Sequence, residues 1–287
     1  MKHAPSFAAL RARLRELVAS GKTVVAPGAT DALSARLIES HGFECVYSGS
    51  YATAASRFGL PDAGLLSLDE LVEQARTIAN AVAVPVIADA EGGFHDPANM
   101  WRTVQAFEQA GVAAIHIEDH SGFGKHTSLP QQLRPMEEMA ARIRAAVAAR
   151  RDPNFEIVAR SDANWISGDL EDTIARLTAY AAAGADMVFP TMVDPEQLAA
   201  VRRRVARPAM IVDMPRHALA DEERAGASIV LYYGFSALVQ FDALERALER
   251  FSATRDAAAI PGYRDRVKAF EDFLGYAEYA ESASRKS

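Results

Sequence analysis

Short apolar runs recur along the chain, and each follows a stretch of helical periodicity that ends near a glycine. Three runs are nearly identical, AGVAAIHIED, AGADMVFP and AGASIVLYY, and HGFECVYSG is a looser copy. Because the runs are continuously apolar and rich in Val and Ile, they are typical of strands buried on both faces of a parallel sheet. The eight runs lie at 23–28, 41–49, 84–90, 110–119, 155–161, 183–190, 207–213 and 225–233.

Amphipathic helical stretches alternate with these runs, and the glycine of each Ala-Gly pair is well placed to end a helix. Eight strand–helix units in this order predict an α/β fold, a closed (β/α)8 TIM barrel that forms one domain over 1–287. A doubly wound open sheet is the structural alternative. The predicted helices lie at 30–41, 69–83, 97–110, 134–150, 168–183, 195–205, 216–225 and 234–251.

Two further amphipathic segments extend this minimal barrel. Phe7, Leu10 and Leu14 recur at helical spacing near the N-terminus, and apolar residues recur in the same way over 261–283. A helix that follows barrel closure must bury its apolar side elsewhere. We therefore interpret 261–283 as an oligomerisation helix and expect a homo-oligomer.

The composition narrows the class of protein. Hydrophobic residues make up 49% of the 287, enough for a large core, and the net charge of −7 without a Lys/Arg run argues against a nucleic-acid partner. No apolar segment is long enough for a membrane span, and the N-terminus lacks the apolar core of a signal peptide. The single cysteine, Cys45, excludes an intrachain disulfide and a cysteine-based zinc site. We therefore expect a cytoplasmic protein with no membrane partner.

Charged residues stand at the ends of three neighbouring runs. Asp89 and Glu91 follow the third run, Glu118 and Asp119 end the fourth, and Arg160 lies at the end of the fifth. Active sites of TIM barrels lie at the carboxyl ends of the strands, so we expect these side chains to converge. Clustered carboxylates without Cys or His predict a Mg²⁺ or Mn²⁺ site, and a guanidinium beside them predicts binding of a substrate carboxylate.

A turn of small residues, Ser48, Gly49 and Ser50, ends the second run, and the long segment 50–67 follows it. Backbone N–H groups in such a turn can hold a carboxylate or phosphonate. Loops of this length over a barrel mouth are usually functional.

A second long loop spans 119–135. Gly122 and Gly124 permit the backbone change that a lid requires, and Lys125 and His126 follow them directly. We predict that one of these two side chains arrives at the site as a general acid or electrostatic group. The alternative is that both are solvated loop residues.

Several motifs, in order over about 20–240, resemble one family. They are YSGSYATAASRFGLPDAGLLSLDEL, ADAEGGF, IHIED, IVARSDA and GADMVFP. The chain resembles the phosphoenolpyruvate mutase/isocitrate lyase superfamily, in particular its oxaloacetate decarboxylases and phosphonomutase-like proteins. The resemblance implies a barrel with a swapped C-terminal helix, a tetramer built from dimers, Mg²⁺ at the mouth, and chemistry through an enolate-like intermediate of a 2-oxo acid.

The resemblance also implies roles for individual residues. Asp89, Glu91 and Glu118, together with Asp62, would surround the metal, directly or through water. Arg160 would bind substrate and offset developing negative charge, and Lys125 or His126 would supply a proton. The residues expected to bind substrate are Ser48, Gly49, Ser50, Asp62, Arg160 and Thr191.

The departures from the family pattern narrow the range of expected activities. Glu91 replaces the usual second Asp, His126 falls about where the lid Cys of isocitrate lyases would be, and Thr191 stands where those lyases have Glu. We therefore expect decarboxylation or carbon–carbon cleavage of a short 2-oxo or 2-hydroxy diacid. Carbon–phosphorus bond chemistry is the first alternative, and a non-catalytic metabolite-binding barrel is the second. His116 and Trp165 are interpreted as lining and packing residues.

Overall fold

The fold is described from a computed structural model, which describes residues 5–122, 125–214 and 216–284. Eight parallel strands form one sheet, and two short antiparallel strands form a separate ribbon. The strands are β1 (Val24–Pro27), β2 (Val46–Ser48), β3 (Val86–Asp89), β4 (Ala114–Glu118), β5 (His120–Ser121), β6 (Gln132–Leu133), β7 (Glu156–Ser161), β8 (Met187–Pro190), β9 (Ala209–Val212) and β10 (Ala227–Tyr232).

The large sheet closes on itself. Its strand order is β1-β10-β9-β8-β7-β4-β3-β2, and a parallel bridge between Gly28 and Tyr47 joins the two outer strands. The N–H of Ala29 donates to the carbonyl of Tyr47 at 2.9 Å. A Cβ on Gly28 would lie 2.3 Å from the carbonyl oxygen of Tyr233, so this junction requires glycine. The predicted (β/α)8 barrel is confirmed, and the open sheet is excluded.

Both faces of the barrel strands are buried, which explains why the runs are continuously apolar. On β10, Ile229 and Leu231 belong to the cluster inside the barrel, whereas Val230 belongs to the cluster between strands and helices. On β7, Val158 faces the inner cluster and Ile157 the outer one. This alternation is the two-residue period of a strand with a hydrophobic layer on each side.

Helices alternate with the barrel strands along the chain, and polar caps define where several begin. Ser67 and Glu70 form a reciprocal capping box at one helix, and Asp194 with Pro195 starts another. The helices are α1 (Phe7–Ala19), α2 (Ala32–Ser40), α3 (Ser50–Thr53), α4 (Leu68–Ala79), α5 (Met100–Ala110), α6 (Met136–Ala149), α7 (Ala163–Ser167), α8 (Leu170–Ala182), α9 (Pro195–Arg204), α10 (Leu219–Ala225), α11 (Phe235–Thr254), α12 (Val267–Leu274) and α13 (Tyr276–Ser284), with a π-helical turn at Ala54–Phe58 and 3-10 turns at Pro97–Asn99 and Ala257–Ala259.

The predicted N-terminal helix is confirmed as α1. Leu10 and Leu14 are buried, and the guanidinium of Arg11 donates to the carbonyl of Val112 at 3.2 Å and to Asp152 at 3.0 Å. The helix is therefore held to the barrel by apolar burial and by a buried charge with several partners.

The chain divides into two compact units, one running up to Ala237 and the other from Leu238 onward. In the second unit, the single helix predicted for 261–283 is wrong: α12 and α13 are separate, and Gly275 between them has a φ of 85°, a conformation that ends a helix. The single domain over 1–287 and the oligomerisation role of 261–283 stay predictions. No helix among the described residues is long and apolar enough to cross a membrane.

Candidate active site

A pocket opens at the carboxyl ends of the barrel strands, as expected for this fold. One part of its lining is polar or charged and the other is aromatic or aliphatic. The lining residues are Tyr47, Ser50, Tyr51, Asp62, Asp89, Lys125, His126, Arg160, Trp165, Phe189, Thr191, Met192, Val212 and Tyr233.

Three carboxylates form a cluster beside this pocket. Asp89 ends β3, Glu91 follows two residues later, and Glu118 ends β4; one oxygen from each lies within 4.8 Å of the others. Pairing of β3 with β4 places the two strand ends side by side, and the N–H of Glu118 donates to the carbonyl of Glu91 at 2.9 Å. Glu91 has a φ of 48°, a left-handed conformation that is rare outside glycine. Three hard oxygen donors without Cys or His fit Mg²⁺ or Mn²⁺.

The ammonium group of Lys125 lies within this carboxylate cluster. Its Nζ is 2.9 Å from Oε2 of Glu118 and 3.2 Å from Oε2 of Glu91, and the residue is only 3% exposed. Burial raises the pKa of Glu91 to about 8 against the attraction of Lys125. Burial alone would lower the pKa of Lys125, but the two carboxylates raise it above its usual value. The lysine is therefore charged and neutralises part of the cluster.

The side chain of Asp89 is fixed by donors from two elements. Ser50 donates to Oδ2 through Oγ at 2.8 Å and through its backbone N–H at 3.3 Å, and the N–H of Glu91 donates to Oδ1 at 2.8 Å. Below it, the hydroxyl of Tyr47 lies 2.9 Å from Nε2 of His116. Burial lowers the pKa of His116 to about 4, so its ring is neutral at neutral pH and fills the barrel interior as predicted.

Arg160 is held in a fixed orientation at the pocket floor. Its Nε and Nη2 donate to the two oxygens of Asp162 at 2.7 and 3.2 Å, and its Nη1 lies 3.2 Å from Oε2 of Glu118. Oγ1 of Thr191 accepts from Nε at 3.1 Å and donates to Asp162 at 2.6 Å. The guanidinium also lies over the Phe189 ring, 5.2 Å from its centroid. A planar fork held in this way is suited to bind a carboxylate.

The predicted lid contributes His126 to the pocket as well as Lys125. Nε2 of His126 lies 3.2 Å from Oδ2 of Asp62, and its ring packs 4.7 Å from the Trp165 ring, centroid to centroid. His126 has a φ of 62°, so it too adopts a left-handed conformation. Phe123 and Gly124 of this loop lie outside the described residues.

The structure separates the predicted site residues into two groups. Ser50, Asp62, Asp89, Lys125, His126, Arg160 and Thr191 line the pocket, and Glu91 and Glu118 adjoin it. Ser48 ends β2 and Gly49 is the N-cap residue directly before α3, so both adjoin the pocket without lining it.

Asp119 does not join the carboxylate cluster. Its Oδ2 accepts from the hydroxyls of Ser161 and Tyr180, each at 2.9 Å, and its Oδ1 accepts from the N–H of Asp162 at 2.8 Å. Glu118 and Asp119 are successive residues at a strand end, and successive side chains point to opposite faces. This alternation explains why Glu118 joins the carboxylate cluster and Asp119 does not.

Trp165 lines the pocket, although it was predicted to be a packing residue. It lies on α7, directly after the end of β7 that carries Arg160, and it packs against His126. Its position a few residues after a strand end could have predicted this role, because the active-site residues of barrels lie in the loops that follow the strands.

A barrel whose strand ends carry an arginine and a carboxylate cluster that could hold a metal ion has the architecture of a TIM-barrel enzyme. The family model described as phosphoenolpyruvate phosphomutase matches residues 14–252. The chain is 36% identical to 2,3-dimethylmalate lyase of Eubacterium barkeri over 269 residues, which cover 91% of this chain and 92% of that enzyme.

Two solved structures are also similar to the chain. Phosphoenolpyruvate phosphomutase from Streptomyces platensis subsp. rosaceus has a TM-score of 0.90 at 33% identity, covering 96% of this chain and 98% of that one. A phosphonopyruvate hydrolase in complex with oxalate and Mg²⁺ has a TM-score of 0.85 at 27% identity, covering 98% and 99%. The chain belongs to the phosphoenolpyruvate mutase/isocitrate lyase superfamily.

Proposed function

We propose that the protein is a Mg²⁺-dependent lyase or decarboxylase that acts on a small 2-oxo or 2-hydroxy (di)carboxylate through an enolate. The observation that carries this proposal is that Arg160 lies 3.2 Å from Glu118, a member of the carboxylate cluster, within one pocket. An anionic substrate can therefore meet a guanidinium and a metal site at the same time. The 36% identity over 92% of a dimethylmalate lyase supports carbon–carbon cleavage.

Asp89, Glu91 and Glu118 would hold the metal, with Mn²⁺ as a substitute for Mg²⁺. The three carboxylates are hard oxygen ligands, which Mg²⁺ and Mn²⁺ prefer. A solved relative is described as a complex with oxalate and Mg²⁺. A divalent cation there would act as a Lewis acid toward a 2-oxo group. Arg160, which lies 3.2 Å from Glu118, would keep the acidic cluster from repelling an anionic substrate.

The protein's own groups would perform the binding and proton transfer. The fork of Arg160, oriented by Asp162, would hold one substrate carboxylate and stabilise the charge that develops on cleavage. The turn of Ser48, Gly49 and Ser50 would hold a second anionic oxygen. The proton needed by the enolate would come from Lys125 or from His126, which meets the pocket through Nε2 beside Asp62.

Carbon–phosphorus bond chemistry is the second candidate, and the descriptions of two similar structures favour it. A phosphonate would need the same cationic partners as the second carboxylate of a diacid, Lys125 and Arg160. An assay that includes phosphonopyruvate therefore decides between the two chemistries.

An assay with three substrates tests the proposal. The release of 2-oxo acid is followed from oxaloacetate, 2,3-dimethylmalate and phosphonopyruvate, each with Mg²⁺ and with EDTA. For phosphonopyruvate the formation of phosphoenolpyruvate is followed as well. Metal-dependent turnover of either of the first two, well above spontaneous decay, supports the proposal. Turnover of phosphonopyruvate alone supports the second candidate. Mg²⁺-dependent ligand binding without turnover of any compound supports a metabolite-binding barrel and refutes the lyase.

We further propose that the chain forms a homotetramer and resides in the cytoplasm. Apolar side chains of the second unit are exposed, among them Phe241 at 65%, Leu244 at 61% and Tyr279 at 75%. Exposure on this scale favours a partner surface. Cys45 is buried and unpaired, as in proteins of reducing compartments. Light scattering at several concentrations measures the oligomer, and a monomer would refute it.

A further inference from the structure

The loop that follows β3 has a backbone conformation that its own residues disfavour. Glu91 and Phe94 have φ values of 48° and 60°, in the left-handed region that residues other than glycine rarely adopt, and Gly93 between them has a φ of 91°. A loop with two such residues keeps its shape only where surrounding groups hold it. The groups that hold this loop therefore determine where the carboxylate of Glu91 points.

Arg142 holds the loop from helix α6. Its Nη1 donates to the carbonyl of Gly92 at 3.2 Å and to the carbonyl of His95, and its Nε donates to Glu138 at 3.2 Å. The residue is 6% exposed, so these bonds form away from bulk water. One buried guanidinium therefore ties together the start and the end of the turn.

The successive carbonyls from Glu91 to Gly93 accept from three different elements. The carbonyl of Glu91 accepts from the N–H of Glu118 in β4 at 2.9 Å, and the carbonyl of Gly93 accepts from the hydroxyl of Thr103 in α5 at 2.6 Å. Arg142 supplies the donor to the carbonyl between them, and this donor is charged. Charge-assisted hydrogen bonds are roughly twice as strong as neutral ones. Arg142 therefore contributes more than the two neutral donors to fixing the loop.

Glu138 connects Arg142 to a second arginine that packs against the loop. Nη1 of Arg134 donates at 3.1 Å to the same oxygen of Glu138 that accepts from Arg142. A Cβ on Gly92 would lie 3.3 Å from Nη2 of Arg134, so the loop backbone rests directly on this guanidinium. Glu138 therefore orients two arginines against the loop that carries Glu91.

Resting on the proposed metal site, we propose that Arg142 is a positioning residue for the metal ligand Glu91. Arg142 belongs neither to the carboxylate cluster nor to the lining of the pocket that contains Arg160, so it acts through the loop and not on the substrate. It binds the backbone directly after Glu91 and so limits the directions in which this carboxylate can point. Loss of these bonds lets the loop relax and withdraws a metal ligand.

The Mn²⁺ affinity of the metal-free protein, measured by calorimetry, tests the inference. We expect the dissociation constant to rise roughly tenfold or more in Arg142→Gln, because loss of a group that orients a metal ligand typically weakens binding about 10- to 100-fold. Arg142→Lys keeps a buried cation that can donate to one carbonyl and should recover part of this loss. An unchanged dissociation constant in Arg142→Gln overturns the inference.

A double-mutant cycle with Glu91→Gln separates positioning from a general effect on the fold. If Arg142 acts through Glu91, Arg142→Gln should change the Mn²⁺ dissociation constant by less than about twofold once Glu91 has been replaced. Equal losses of affinity in the presence and absence of Glu91 would show that Arg142 acts independently of this ligand, and they would overturn the inference.

Arg11→Gln is the matched control. Arg11 is 7% exposed, and its guanidinium also donates to two backbone carbonyls, those of Glu108 and Val112, which precede β4 and lie at the opposite end of the strands. Its replacement should lower the free energy of unfolding, measured with urea, without changing the Mn²⁺ dissociation constant. A loss of affinity as large as that in Arg142→Gln would attribute both losses to destabilisation and overturn the inference.

A further variant and the wild-type protein complete the test. If Arg142→Gln does not fold, Glu138→Ala replaces it, because Glu138 is half-buried and its loss releases both arginines; an unchanged Mn²⁺ affinity in that variant overturns the inference. Wild-type protein that binds no Mn²⁺ refutes the proposed metal site itself. Wild-type binding that Arg142→Gln leaves intact refutes only the positioning role.

Discussion

Nζ of Lys125 lies 2.9 Å from Oε2 of Glu118, inside the carboxylate cluster that we propose as the metal site. An ammonium group and a divalent cation at the same carboxylates compete for them. Metal binding would therefore have to displace Lys125, and with it the loop that carries His126.

Replacing Lys125 with glutamine should strengthen metal binding. The variant removes a buried cation that neutralises Glu91 and Glu118, so these carboxylates become free for the metal. We expect the Mn²⁺ dissociation constant, measured by calorimetry on metal-free protein, to fall roughly tenfold, or about 1.4 kcal/mol. Lys22→Gln, an exposed lysine, should leave it unchanged. A weaker metal affinity in Lys125→Gln would mean that the lysine supports the site instead of competing for it.

Glu118 and Asp119 are neighbours with different predicted roles. Glu118→Gln should weaken Mn²⁺ binding at least tenfold, whereas Asp119→Asn should bind the metal normally. Asp119 accepts from Ser161, Tyr180 and the backbone of Asp162, so its substitution should lower the free energy of unfolding by about 2 kcal/mol. Calorimetry and urea unfolding measure the two effects. Loss of metal affinity in Asp119→Asn would contradict this division.

Arg160→Lys should inactivate the enzyme while preserving the fold. Lysine keeps the positive charge beside Glu118 but cannot form the two parallel bonds to Asp162 or present a planar fork to substrate. We expect kcat/KM to fall by about 100-fold, equivalent to about 2.7 kcal/mol of transition-state stabilisation. The control is Arg204→Lys, at an exposed arginine paired with Glu171. Activity within a factor of two of wild type would remove Arg160 from the mechanism.

Glu156 should make the free energy of unfolding depend on pH. It begins β7, it is 4% exposed, and burial together with Asp186 raises its pKa from 4.5 to about 7. Because the folded-state pKa is the higher one, the folded state favours the protonated form. This contribution to stability is present below about pH 4.5 and is lost as the pH rises to about 7.

Glu156→Gln should therefore gain stability relative to wild type across that pH window. The gain should approach roughly 3 kcal/mol above pH 7 and vanish near pH 4.5, by urea unfolding at a series of pH values. Glu196→Gln, at an exposed glutamate, should show a pH-independent difference. A Glu156→Gln difference that is constant with pH would show that the carboxyl titrates normally.

The site residues at the strand ends could be predicted, because all strands of a parallel barrel have their carboxyl ends on the same side. Asp89, Glu118 and Arg160 followed from that rule alone. The position of Met192 in the pocket lining did not, because it depends on a left-handed backbone that no property of methionine indicates. Trp165 required the short helix after β7, whose path is determined by tertiary contacts and not by a periodic pattern. The break at Gly275 was visible in the sequence, since glycine commonly ends helices.

Three side chains around the pocket, Glu91, His126 and Met192, share left-handed backbone conformations. Substituting glycine or asparagine at such positions is a standard route to a more heat-resistant protein, because the strain is relieved at little cost elsewhere. Here each substitution would delete a side chain that faces the proposed chemistry. Selection for thermal stability and selection for turnover therefore act in opposite directions at these three positions. In a library selected for heat resistance, variants substituted at these positions should be the first to lose activity.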